Sequence, residues 1–267
     1  TLDTSYTEGY KSSSVAEKKT AGSRNHIFAN LNYIFNEDDS YESNLEFKLQ
    51  RTSNDKYFKK HDINTALVDS ENTNLESEIK YSFANDDMFF DLTASVYENL
   101  DIKKKSDKYE YVLPNIMYGK TFFTENFGTV NLTSNILYNK YDTNKNKTFL
   151  TNDLIWSPSS NITKKGFMNS FQGMVRNTNY ETRKTGNYKD KGQVNELSTV
   201  LTYKSSLPLK KDGVNYSNFF SPNFMLRYAP GHMRNLSDED VFLNYTNLYS
   251  MNKTSEIEDG LSAILGF

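Results

Sequence analysis

The side chains most readily turned to acid–base or metal chemistry are three histidines, His26, His61 and His232, which stand far apart and without metal-ligand spacing. Cysteine is absent, which removes thiol nucleophiles, disulfide frameworks and Cys-ligated metals in one step. There is no Gly-x-Ser-x-Gly elbow, phosphate-binding loop or dinucleotide fingerprint. A nucleophile, a base and an orienting group must meet in space, and among so many Ser and Asn residues the sequence singles out no such set. The reading is therefore no catalytic residue, no metal site and no cofactor. What the chain offers instead is regularly spaced charge. Glu46, Lys48 and Gln50 alternate with apolar neighbours, Glu76, Glu78 and Lys80 do the same, and Asn131 and Asn135 continue the pattern. Such a row makes a wet face able to meet water and polar partners; an ordinary solvated sheet face is the plainer alternative.

A spacing of two requires strands, because successive side chains point to opposite faces of a sheet. Segment 26–35 sets Ile27, Ala29, Leu31, Tyr33 and Phe35 against His26, Asn30 and Asn32. Segments 44–51, 75–83 and 88–97 place Leu45, Phe47, Leu49, Leu75, Ile79, Phe90, Leu92 and Val96 on an apolar side, with Phe89 and Tyr97 breaking the polar one. Segment 130–138 sets Val130, Leu132, Ile136 and Tyr138 against Asn131, Thr133 and Asn135. Weaker patterns predict strands near 2–10, 61–69, 109–120, 148–156, 166–177, 195–204, 219–229, 241–250 and 258–267, roughly fourteen in all. Polar stretches such as 36–40, 85–87 and 144–147 read as turns. Pro114, Pro158, Pro208, Pro222 and Pro230 read as bends and punctuation, since each lacks an N–H for a ladder.

The predicted fold class is all-β: an antiparallel transmembrane β-barrel in which the apolar row meets lipid and the polar row lines a hydrated lumen. Hydrophobic content of 36% is compatible with that, because barrel strands need apolar residues only at alternate positions. Aromatic content is high at 14%, with 19 Tyr and 18 Phe against the single Trp156, and Tyr81, Tyr97, Tyr109, Tyr111, Tyr138 and Tyr141 cluster toward strand ends as an interfacial girdle would. Tyr is also a favoured residue in any sheet. With 31 basic and 34 acidic residues intermixed, no basic patch points to nucleic acid.

The stretch 207–267 carries a resemblance. It contains Leu-Pro-Leu at 207–209, Ser-Pro followed by Leu-Arg-Tyr-Ala-Pro-Gly within 221–231, Asn-Leu-Tyr-Ser-Met-Asn at 247–252, and Glu-Asp-Gly with Leu-Gly-Phe at 258–267. These pieces resemble the barrel of the lipopolysaccharide-assembly family LptD, also called organic solvent tolerance protein, particularly its alphaproteobacterial forms. Segments 22–28, 51–63, 107–119 and 152–167 are similar to further parts of the same barrel, in the same order.

The resemblance implies a cell outer membrane location in a Gram-negative bacterium. It implies insertion of lipopolysaccharide into the outer leaflet, a plug lipoprotein of the LptE type, contact with outer-membrane lipid, and a periplasmic Lpt bridge reached through an N-terminal domain that precedes the barrel. Thr1 in place of Met and the lack of a basic, then apolar leader lead to the expectation that residues 1–267 are part of one larger barrel. The alternatives are a self-contained barrel for solute or fatty-acid uptake ending at Phe267, and a soluble β-rich surface or carbohydrate-binding protein.

Overall fold

A computed structural model describes residues 1–7, 24–36, 40–60, 63, 65–69, 71, 73–186, 188, 192–231, 244, 246–252 and 256–267. The strands are β1 (Leu2–Thr7), β2 (Arg24–Asn36), β3 (Tyr41–Thr52), β4 (Asn74–Asn85), β5 (Met88–Asn99), β6 (Tyr109–Thr124), β7 (Gly128–Tyr141), β8 (Lys145–Ser157), β9 (Asn161–Ile162), β10 (Met168–Arg183), β11 (Val194–Ser206), β12 (Leu209–Asp212), β13 (Ser217–Phe220), β14 (Asn223–Ala229) and β15 (Gly260–Gly266). Two four-residue helical turns, α1 (Tyr57–Lys60) and α2 (Lys105–Lys108), sit in connections. Thirteen strands form one antiparallel sheet in which β1 to β8, β10, β11, β14 and β15 follow one another, with β9 beside β10 and a separate β12–β13 hairpin. Among the described residues β1 and β15 are its edges and do not pair with each other.

A meander of this kind alternates its connections between two ends of the sheet. At one end they are mostly short: 37–40, 86–87 and 125–127. The other end carries the longest ones, including 53–73 and 230–259. Two predicted strands fall there, and their described residues form no strand. The described part of 61–69 is irregular, and that of 241–250 is a turn from Thr246 to Tyr249. Apolar residues in and beside them, Ile63, Leu67, Val68 and the adjoining Met251, belong to or pack on buried clusters rather than joining the ladder.

The register puts the sequence's two rows on opposite faces. Phe47 pairs with Ile79, Ile79 with Ala94, Tyr81 with Leu92 and Phe83 with Phe90, so Leu45, Phe47, Leu49, Ile79, Phe90, Leu92 and Val96 share one face. Later strands extend it through Leu132, Leu154, Val175 and Leu201. Near the short-connection end that face carries an aromatic belt: Tyr33 on Phe35, Phe35 on Tyr81, Tyr81 on Phe90, then Phe171 on Tyr203 and Phe220 on Phe267, with ring centroids 4.9–6.2 Å apart. Trp156 joins it, its indole N–H donating to the Phe127 carbonyl at 2.7 Å. Tyr97 and Tyr141, grouped with the girdle from sequence, lie on the other face: Tyr97 pairs with Glu76 and Tyr141 with Lys145.

Leu75 departs from the apolar row for a definable reason. β3 and β4 pair only as far as Lys48 and Glu78. Beyond that point the Gln50 side chain accepts the Glu76 N–H at 2.9 Å, and the Ser77 hydroxyl takes the Gln50 N–H at 3.2 Å. The ladder opens, the 53–73 connection folds in, and Leu75 is buried with Phe28, Val68 and Leu100 instead of lying open.

A second irregularity reconciles a phase change in the sequence. Tyr109, Tyr111 and Leu113 are apolar-face residues at odd positions, whereas Ile116, Tyr118 and Phe122 hold that face at even positions. A bulge between Val112 and Asn115 absorbs the extra residue against both β5 and β7, and Pro114 lies inside it. A proline is tolerated in so central a strand because the bulge asks no ladder N–H of it. Pro158, Pro208, Pro222 and Pro230 fall between strands, as predicted.

A charge at mid-depth on the apolar face of a membrane strand costs about 2–4 kcal/mol. Leu45→Arg is expected to lower refolding stability in lipid vesicles by that amount, whereas Asn44→Arg on the opposite face is expected to leave it within about 1 kcal/mol. Urea titration of both variants, followed by tryptophan emission from Trp156, checks it.

Candidate functional site: the polar face and the segments folded over it

The polar face is built strand by strand from residues whose charges would be isolated in any single strand. Lys48 reaches from β3 to the Glu76 carboxylate of β4 at 2.5 Å. The Ser95 hydroxyl of β5 donates to Glu78 at 2.9 Å, and the Asn44 amide donates to Glu46 at 3.0 Å. Further on, Asn135 donates to Asn115 at 3.2 Å, Thr121 to Asn131 at 2.8 Å and Asn139 to Glu110 at 3.0 Å. Glu46, Lys48, Gln50, Glu76, Glu78, Lys80, Asn131 and Asn135 thus all stand on the face opposite Phe47 and Ile79. Lys48, Gln50, Leu67, Glu76 and Tyr97 border a cleft of about 370 Å³.

The sequence reading missed a bidentate ion pair. Arg176 of β10 grips Asp153 of β8 with Nε and Nη2, each at 2.7 Å, in a mostly buried fork. The two residues lie in separate strands with no short-range signature, and only the register brings them side by side.

The described parts of two long connections, 53–73 and 230–259, lie over this face at the long-connection end. Tyr57 and Val68 are buried within the first. His26 is its anchor: its Nδ1 hydrogen-bonds the Tyr57 hydroxyl at 3.0 Å and the Ser5 hydroxyl at 2.9 Å, its Nε2 meets Asp3 at 3.3 Å, and its ring stacks on Phe28 at 4.4 Å. Ser5 is itself shared with the Tyr57 hydroxyl at 2.7 Å, so this Ser–His–Asp grouping ties connection to wall. His61 and His232 lie outside the described residues.

Arg227 anchors the second connection. Only 2% exposed, it donates from Nε to the Met251 carbonyl and from Nη2 to the Glu258 carbonyl, both at 2.6 Å. Met251 and Ile257 pack on Met174, Val200 and Ala229 beside it. Arg227 belongs to the Leu-Arg-Tyr-Ala-Pro-Gly piece singled out in the sequence, where nothing marked it as a buried anchor.

The first connection and its shorter neighbours, 100–108 and 142–144, are also clipped together. Lys108 bridges Asp55 at 2.6 Å and Glu98 at 2.5 Å. Burial works against its charge, but the hydrogen bonds it donates to both carboxylates outweigh that and hold its pKa above the usual lysine value. Asp107 accepts from the Thr143 hydroxyl at 2.6 Å and from Lys104 at 3.1 Å, which holds its carboxyl below the usual range, Thr143 contributing most.

An antiparallel sheet with an aromatic-edged apolar face and a charged, cross-linked opposite face defines the wall of an outer-membrane β-barrel. No helix among the described residues is long and apolar enough to cross a membrane, which bears only on helical spans. The family model described as LptD, LPS transport system D, matches residues 22–263, and the chain belongs to that family. Its members act in lipopolysaccharide transport at the outer membrane. No curated protein matches the chain.

Two outcomes follow from the anchors. Arg227→Met leaves two partly buried carbonyls without their donor, at about 1–3 kcal/mol each, so limited proteolysis is expected to cut within 246–252 in the folded variant and spare it in the parent. For Asp107, a depressed folded pKa means its contribution is complete above the unfolded carboxylate value of about 3.9 and is lost as pH falls through the lower folded value. Protection of the Lys108 amide, taken relative to its intrinsic exchange rate at each pH, should therefore fall on acidification below about pH 4, and Thr143→Val should weaken that dependence.

Proposed function

We propose that this chain forms part of the wall of a larger LptD barrel that delivers lipopolysaccharide to the outer leaflet, its polar face lining the route of the saccharide. The observation that carries the reading is the division of labour between faces. Lys48–Glu76, Glu78–Ser95 and Arg176–Asp153 keep charge in place on one side, while Phe47, Ile79 and Leu92 cover the other. Fixed pairs of both signs suit a phosphorylated sugar that must be held weakly and released, because each contact can be exchanged for an existing partner. The lipid tails travel outside this route and enter the membrane directly.

Among the described residues β1 and β15 have no partner on their outer edges, which supports the larger barrel, since an unpaired strand edge is not tolerated in hydrocarbon. Additional strands would satisfy them, a periplasmic domain would supply the substrate, and a lipoprotein plug of the LptE type would occupy the lumen against the same polar face. No chemical step is required.

The test is site-specific photocrosslinking in cells that depend on the full-length protein. A photoreactive residue at Lys48, Asn131 or Asn135 is expected to capture lipopolysaccharide or a lipoprotein plug, and capture of lipopolysaccharide should cease when its supply is blocked. Adducts of neither kind at all three positions, with the protein folded and sustaining growth, would overturn the assignment of this face to the lumen.

A further inference from the structure

On the apolar face, hydrogen-bonding side chains interrupt the hydrocarbon row at one place only among the described strands with this much continuity: the half of β7, β8, β10 and β11 toward the long-connection end. Asn177, Asn195 and Asn179 form a closed ring of amides, Asn177 donating to Asn195 at 3.3 Å, Asn195 to Asn179, and Asn179 to Asn177 at 2.6 Å. Asn177 is the register partner of Asn152, which accepts from the Ser134 hydroxyl at 2.8 Å. The polar surface therefore crosses four neighbouring strands. β5 keeps Met88, Phe90, Leu92, Ala94 and Val96 on this face, whereas β10 turns from Phe171 and Val175 to Asn177, Asn179, Glu181 and Arg183.

Two further observations coincide with the ring. A cleft of about 420 Å³ opens there, lined among others by Ile136, Thr148, Leu150, Asn179, Glu181 and Gln193. Two rows beyond Asn179 on β10, the register aligns Lys140, Asn146 and Arg183 on the same face, and neither cation takes part in an ion pair among the described residues. Glu181 stands between ring and cations.

We propose that this cleft is a seat for an outer-leaflet phosphorylated glycolipid on the outside of the wall. An acyl chain lies on Ile136 and Leu150, the amide ring and Thr148 meet sugar hydroxyl and N-acyl groups, and Lys140 with Arg183 takes the phosphate at the rim. Each primary amide has two N–H donors and an oxygen with two lone pairs, so the ring bonds leave capacity for a ligand that both donates and accepts. A sugar does both, whereas the phosphate of a glycerophospholipid only accepts. Glu181 repels an anion at ring level and so confines phosphate to the rim. The inference rests on the barrel-wall reading proposed above, with the end that carries the longer connections facing outward, as the longer loops of outer-membrane barrels do.

The test uses the full-length protein in nanodiscs containing equal amounts of a phosphorylated glucosamine lipid and phosphatidylmethanol, an anionic phospholipid without a headgroup donor, with retained lipid counted by native mass spectrometry. The parent is expected to keep the glycolipid preferentially. Asn179→Leu should reduce that preference about tenfold, the size expected for losing one or two hydrogen bonds. Lys140→Gln with Arg183→Gln should do the same while leaving the ring intact, which covers the case in which the ring variant misfolds. Equal retention of both lipids by the parent, or an unchanged preference in the folded variants, overturns the proposal. The assay contains no transport step, so failure of the lumen reading, scored by crosslinking at Lys48, is seen separately.

Discussion

Every peptide N–H and C=O of a strand in hydrocarbon must find a partner on the neighbouring strand, because no water is available to take its place. In this chain that demand makes the ladder continuous from β1 to β15 and leaves side chains to do everything else. A continuous ladder fixes register, and register decides which residue meets which. Lys48 meets Glu76, Arg176 meets Asp153 and Asn179 meets Asn195 only because the backbone has already been paired.

The pairs on the polar face then solve a second problem. Partly buried charges are costly alone and tolerable when each has a fixed partner with good geometry. The Arg176–Asp153 fork meets that condition with two bonds, and Arg227 meets it with backbone carbonyls rather than a carboxylate. The difference has a structural purpose. An arginine held by carbonyls of another segment binds chain to chain, so Arg227 secures a connection, whereas Arg176 braces the wall.

Much of this was legible from alternation alone. Phe47 opposite Lys48 and Ile79 opposite Lys80 identify two faces without any structure, and the family resemblance followed from ordered pieces such as Leu-Arg-Tyr-Ala-Pro-Gly. Alternation failed where local apolar content served a different end. Ile63, Leu67 and Val68 looked like a strand but cover Leu75 and Phe28, because burial against the wall satisfies them without a ladder. Leu75 itself changed surroundings when Gln50 took over the Glu76 N–H. Arg176–Asp153, the Ser5–His26–Asp3 anchor and the asparagine ring were not readable, since each joins residues on different strands, or on a strand and a connection.

The bulge at Val112–Asn115 bears on how this wall can change over generations. Because one extra residue in β6 is accommodated against β5 and β7 together, the two halves of β6 obey opposite parities. Losing a single codon there would restore straight pairing and turn Tyr109, Tyr111 and Glu110 through the sheet, placing a carboxylate in lipid. Length variation in such a chain is therefore inherited at the connections, and within strands it survives only as compensated pairs of insertion and deletion.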